Sequence, residues 1–117
     1  MPLKMTMEPQ EWLMIGNTKV VNIHPEQAKI WIDGSAAVLR GAHVMEADKA
    51  DTAAKRAYFA VQRLYLGLTT SMSEYQVAAR ELLTESPASE KVVSKASKQI
   101  ANGSVYGALR EIRNLID

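Results

Sequence analysis

The chain has 117 residues, 47% hydrophobic and 23% charged, with a formal net charge of +1. That is one small domain's worth of protein, apolar enough for a core and too nearly neutral to bind nucleic acid by bulk charge alone. It contains no cysteine, which excludes disulfides, thiolate zinc sites and thiol catalysis.

The N-terminus carries Lys4 and Glu8 where a secretory signal needs an apolar run. No stretch approaches the roughly 20 apolar residues of a membrane helix. The expectation is a cytoplasmic protein.

The first half of the chain alternates. Leu3, Met5 and Met7 interleave with Lys4, Thr6 and Glu8 at the period of a half-buried strand, and Pro9 stops the run. Residues Glu11 to Ile15 predict a second strand, Gly16-Asn17 a tight turn, and Lys19 to Ile23 the return. His24-Pro25-Glu26 marks another turn. From Lys29 to Asp33 the alternation resumes, with Ile30 and Ile32 on one face and Trp31 on the other. Asp33-Gly34 predicts a further hairpin turn, and Ala36 to Arg40 a last strand ended by Gly41. Residues 1–41 therefore predict an antiparallel β unit of about five strands.

Residues 42–117 change to helical spacing. Ala54, Ala57, Tyr58, Val61, Leu64, Tyr65 and Leu68 recur at i, i+3, i+4, with Asp51 or Thr52 as cap and Gly67 at the end. Ser71 and Glu74 have the spacing of a capping box for a second helix through about Thr84. Ser86-Pro87 opens a third, carrying Val92, Val93, Ala96 and Ile100 and closed by Asn102-Gly103. Ser104 starts a fourth, with Val105, Leu109, Ile112 and Ile116 on one stripe. The fold class is α+β: a small β unit followed by a helical unit of about four helices.

No catalytic constellation is visible, and the reading is of a non-enzyme without cofactor or metal. His24 and His43 lie in different segments without a ligand-spaced partner, and no glycine-rich phosphate loop exists. Ser71, Ser86 and Ser104 read as helix caps rather than nucleophiles.

Binding chemistry is present in three places. In the segment from Lys55 to Leu66, Arg56 and Arg63 share a helix face among Tyr58, Phe59 and Tyr65, the mixture that stacks bases and pairs phosphates. Spacing alone also makes those aromatics a core stripe. Lys91, Lys95 and Lys98 form a basic stripe that serves equally as a solvated helix face. The sheet edge, with Lys4 on the first strand and Arg40 ending the last, offers a docking line for a strand or a single-stranded backbone.

The block from Ala37 to Leu66 adds a resemblance. Asp51, Thr52, Ala54, Lys55, Arg56, Tyr58, Phe59, Ala60, Val61 and Gln62 follow the D-T-P-A-[KR]-R-x-Y-[FL]-A-[IV]-Q helix start of the FlbT family of flagellum biosynthesis regulators. The opening MPLKMTMEPQE and the closing GSVYGALREI also resemble that family's ends. Ala53 stands where the family usually has proline, and Gly41-Ala42 replaces a charged pair. The resemblance implies post-transcriptional control of flagellin. The ligand would be the single-stranded 5′ untranslated leader of flagellin mRNA, and the effect a change in its translation or decay. It also implies a FlaF-type protein, or flagellin itself, as a protein partner; a chaperone or adaptor role is the alternative.

The β half is separately similar to the Csr carbon-storage regulators, in QEWLMIGN from Gln10 to Asn17 and in Ala36 to Arg40. That similarity implies a homodimer with RNA on its first and last strands. Together these readings nominate Leu3, Lys4, Met5, Arg40, Lys55, Arg56 and Arg63 as RNA-binding residues.

Overall fold

The computed structural model describes residues 2–116. The chain divides into two compact units between Val44 and Met45, a β unit and a helical unit.

The β unit contains β1 (Leu3–Met7), β2 (Trp12–Ile15), β3 (Thr18–Val21), β4 (Ala28–Ile32) and β5 (Val38–Arg40). All pairings are antiparallel, but the strands form two sheets rather than one: β1 with β4, and β3-β2-β5. The predicted hairpin at Asp33-Gly34 does not form. β4 pairs with β1 and β5 with β2, so residues 33–37 are a crossover between sheets. Local turn chemistry signals a bend there, but the partners are chosen by the open sides of β1 and β2. At the β2–β3 hairpin the turn does form, with Gly16 at φ 57 supplying the first central position of a type II′-like loop. Met7, Leu13 and Leu39, one each from β1, β2 and β5, are at most 2% exposed and form the core of this unit.

Asn22 organises the segments between strands. Its Nδ2 donates to the carbonyls of Met7 (3.0 Å), Glu8 (3.2 Å) and Glu26 (3.1 Å). Its Oδ1 accepts from His24 N at 3.0 Å, and its own N–H donates to the Glu11 carbonyl at 2.9 Å. One buried amide thus ties the end of β1 to the approach to β4. It also supports the Glu8–Glu11 turn, where Pro9 precedes Gln10 at φ 68, a positive angle uncommon outside glycine.

Gly41 follows β5 and lies under the indole of Trp12. A Cβ added there would stand 2.5 Å from Trp12 Cε2. Gly41→Ala must therefore displace the ring, and should destabilise the β unit by about 1–3 kcal/mol, the usual range for overpacking. A denaturant titration followed by tryptophan fluorescence checks this, since both tryptophans, Trp12 and Trp31, belong to this unit.

The helical unit contains α1 (Ala53–Tyr65), α2 (Ser73–Glu85), α3 (Glu90–Ala101) and α4 (Val105–Arg113). Thr52 caps α1 as expected, its side chain accepting from Lys55 N at 3.1 Å. The capping box predicted for α2 does not form. Ser71 Oγ accepts from Ser73 N, while the Glu74 carboxylate turns to Arg63 instead of the helix start. Pro87 opens a short 3-10 turn, Pro87–Ser89, before α3. α1 packs on α2 and α4, and α3 packs on α4. The faces that meet are rich in alanine, with Ala57, Ala96 and Ala108 fully buried beside Val61, Leu109 and Ile112. Gln62 is buried on α1, accepting from Met45 N (2.7 Å) and donating to Met45 O (2.9 Å), which fixes the segment leading into the helices. Burial pushes the Tyr75 phenol above its ordinary value, against the opposing hydrogen bond with Ser97.

Candidate functional site

The nominated residues fall on both units: Leu3, Lys4 and Met5 on β1, Arg40 on β5, and Lys55, Arg56 and Arg63 on α1. The three cations of α1 already have carboxylate partners. Lys55 Nζ lies 3.3 Å from Asp51 Oδ1, Arg56 pairs with Glu81, and Arg63 Nε donates to both oxygens of Glu74 at 3.0 and 3.2 Å. The hydrogen bond and charge of Glu81 hold the Arg56 guanidinium above its ordinary value, against a desolvation that lowers it. Exposed pairs like these add little to stability, but each sets a negative charge beside the cation that a phosphate would have to reach. A signal for them exists in the sequence. Arg56 and Arg63 on α1 repeat the seven-residue spacing of Glu74 and Glu81 on α2, so an antiparallel helix pair brings them into register. Lys95 of the basic stripe pairs with Glu111 at 2.9 Å.

The β1–β4 ribbon presents different chemistry. Its register sets Lys4 opposite Trp31 and Thr6 opposite Lys29, and strand alternation puts these four on one face. Leu3, Met5, Met7, Ile30 and Ile32 occupy the other. Trp31 is 61% exposed, and Lys4 Nζ sits 5.0 Å from the centroid of its ring. A depression of about 290 Å³ is lined by Lys4, Met5, Thr6, Lys29, Ile30 and Trp31. Among the described residues neither Lys4 nor Lys29 forms an ion pair. An indole on the wet side of a strand offers a π surface, and the two ammonium groups offer charge. Such a combination has the chemistry to stack an aromatic ring and to meet anionic groups beside it. Reading the sequence for basic residues and strand ends passes over Trp31, Lys29 and Thr6. The signal is the alternation itself, which leaves a large aromatic opposite Ile30 and Ile32 on the solvent side.

Arg40 links β5 to β1. Its Nη1 donates to Glu11 Oε2 at 3.1 Å and to the Thr6 carbonyl at 3.4 Å.

The helical unit holds a groove of about 310 Å³ between α1 and α2, floored by Phe59, Ala60 and Ala78 with Val77 62% exposed at its rim. His24 is a turn residue whose Nδ1 accepts from Glu26 N at 3.1 Å. Among the described residues no group of three or more His, Asp or Glu is placed to hold a metal ion. Nor, among them, is any helix long and apolar enough to cross a membrane.

These features define a two-unit α+β protein with an exposed aromatic and lysine face on the β unit and, on the helical one, a groove lined by apolar side chains together with Arg56, Glu74 and Glu81. The family model described as "Flagellar protein FlbT" matches residues 3–117, and the chain belongs to that family. It is 33% identical over 118 residues to the "Probable flagellum biosynthesis repressor protein FlbT" of Rhodopseudomonas palustris (strain TIE-1), covering 99% of this chain and 93% of the relative. It is 32% identical over 119 residues to the "Probable flagellum biosynthesis repressor protein FlbT 1" of Bradyrhizobium diazoefficiens, covering 99% of this chain and 81% of the relative. A similarly named protein of Caulobacter sp. (strain K31) is 33% identical over 82 residues, which is 70% of this chain and 62% of the relative. No solved structure matches.

Proposed function

We propose that this protein regulates flagellar gene expression after transcription, by binding single-stranded RNA in the 5′ untranslated leader of flagellin mRNA and changing its translation or decay. Family membership and the relatives' names, which describe repressors of flagellum biosynthesis, support the regulatory role. The observation that carries the RNA step is the exposed Trp31 with Lys4 over its ring and Lys29 on the same face. The ribbon binds by stacking a base on the indole while the lysines meet the flanking phosphates. Lys55, Arg56 and Arg63 are secondary here, because a phosphate must first compete with Asp51, Glu81 and Glu74. Two chains offer two ribbons, so a homodimer gripping one leader at two points belongs to the proposal.

The test is a fluorescence-anisotropy titration of a labelled flagellin leader at several salt concentrations. Trp31→Ala should weaken binding by about 1–3 kcal/mol, the range for loss of one stacked base. Lys4→Ala and Lys29→Ala should each reduce the salt dependence by about one ion. Unchanged affinity in Trp31→Ala removes the ribbon from the mechanism.

The groove between α1 and α2 favours a second reading, an adaptor for a FlaF-type protein or flagellin docked as an amphipathic helix against Phe59 and Val77. Binding there should be far less sensitive to salt and should survive nuclease treatment in a pull-down, whereas RNA-mediated capture weakens steeply with salt and is lost on nuclease treatment.

A further inference from the structure

We infer that Glu11 is the positioning residue of a phosphate subsite at Arg40, adjoining the ribbon face; this rests on the RNA reading above. Arg40 is the one arginine of the β unit. Its guanidinium carries five N–H donors in a rigid fork. Only Nη1 is engaged among the described residues, with the Glu11 carboxylate and the Thr6 carbonyl. The Nε and Nη2 groups bond to no described residue and are not sealed from solvent. Side-chain exposures of 39% for Arg40 and 31% for Glu11 make the pair reachable.

Glu11 is itself held. Its Oε1 accepts from Glu8 N at 2.9 Å, within the turn supported by Asn22, while Oε2 takes Arg40. The carboxylate is therefore a fixed post that grips one corner of the fork. The opposite edge, Nε with Nη2, stays open as a parallel donor pair of the shape that grips a phosphate bidentately. Thr6, whose carbonyl supplies the second anchor, lies opposite Lys29 on the ribbon. Arg40 is thereby anchored to the β1 residue that stands opposite Lys29.

The assignment makes a prediction opposite in sign to simple electrostatics. Glu11→Gln removes a negative charge beside the site, so Coulomb attraction alone predicts tighter binding. Positioning predicts weaker binding, because the amide group left facing Nη1 is an NH2 donor that cannot accept from the guanidinium, and the fork regains its freedom. The amide keeps an oxygen for Glu8 N, so the turn remains supported.

The experiment titrates a labelled 12-nucleotide oligo(A) and oligo(U) RNA into wild type, Glu11→Gln, Arg40→Ala and the double variant, with thermal melts to verify folding. Arg40→Ala should weaken binding roughly 5- to 100-fold and lower the salt slope by about one ion. Glu11→Gln should weaken binding about 3- to 10-fold, part of the Arg40 effect, with the salt slope retained, because the arginine charge is still present. The double variant should bind like Arg40→Ala. Wild-type binding that depends on Trp31 but is equal or tighter in Glu11→Gln overturns the positioning role and leaves the RNA reading standing. Absence of wild-type binding to either oligonucleotide and to the leader overturns both.

Discussion

Asn22→Asp is expected to unfold the β unit at neutral pH and to restore part of its stability in acid. The substitution is isosteric, so packing is preserved and only the chemistry of one atom changes. Where Nδ2 donates to three carbonyls, from Met7, Glu8 and Glu26, the variant presents a carboxylate oxygen to three other oxygens. The site is 8% exposed, so little water remains to solvate the charge. A buried charge without a partner costs about 3–5 kcal/mol, a large fraction of the stability of any small domain. The pH dependence follows from the same geometry. Desolvation and the facing carbonyls raise the folded-state pKa of the introduced carboxyl above its unfolded value of about 3.9. Stability is then fully present below that unfolded value and is lost as pH rises through the folded one. Tryptophan fluorescence isolates the response, since the helical unit has no tryptophan. Equal denaturation midpoints for this variant at about pH 4 and pH 7 would show that Asn22 is not the clamp its contacts describe.

Asn22 also shows what kind of information the sequence carries openly. Between β3 and β4 it reads as one more turn residue beside His24-Pro25, because its importance lies in carbonyls 14 and 15 residues away. Local patterns are legible: the period-2 run that begins at Leu3 and the one from Lys29 to Asp33 fall on the strands β1 (Leu3–Met7) and β4 (Ala28–Ile32), and Thr52 caps α1. Pairing is less so. Alternation assigns a residue to a face without naming the neighbouring strand, so the division into two sheets, and the crossover at Asp33-Gly34, come from non-local choices. The same limit governs the candidate site. Arg56 and Arg63 look like open cations until α2 supplies Glu81 and Glu74, and Arg40 looks like a free strand end until Glu11 meets it. Trp31 is the converse case. Its outward position was readable from Ile30 and Ile32, but its value as a platform depends on Lys4, which only the β1–β4 register places over the ring.

Leu109→Ala should destabilise the helical unit by about 3–5 kcal/mol, toward the upper end of the range for buried leucine truncations. The side chain is fully buried on α4, the helix that packs on both α1 and α3. How much such a deletion costs depends on whether neighbours can move into the space. The buried faces of those helices include side chains with no rotamers to adjust: Ala57 on α1 and Ala96 on α3 are both wholly buried. Inward movement of α4 would also have to displace side chains: at Gly107 even a Cβ would stand 2.9 Å from the Nε2 of Gln99 on α3. The cavity should therefore persist, and its lining loses dispersion contacts as well as the transfer energy of the missing methyls. Each kcal/mol moves the midpoint of a domain this size by about 4–8 °C, so far-UV circular dichroism should show a loss well outside error. Ile116→Ala is the contrast. It lies beyond the end of α4 and is only half-buried, so water can fill the space it leaves and the loss should be about 1 kcal/mol or less. Similar losses in the two variants would mean that the alanine-lined seam is more yielding than its close approach implies.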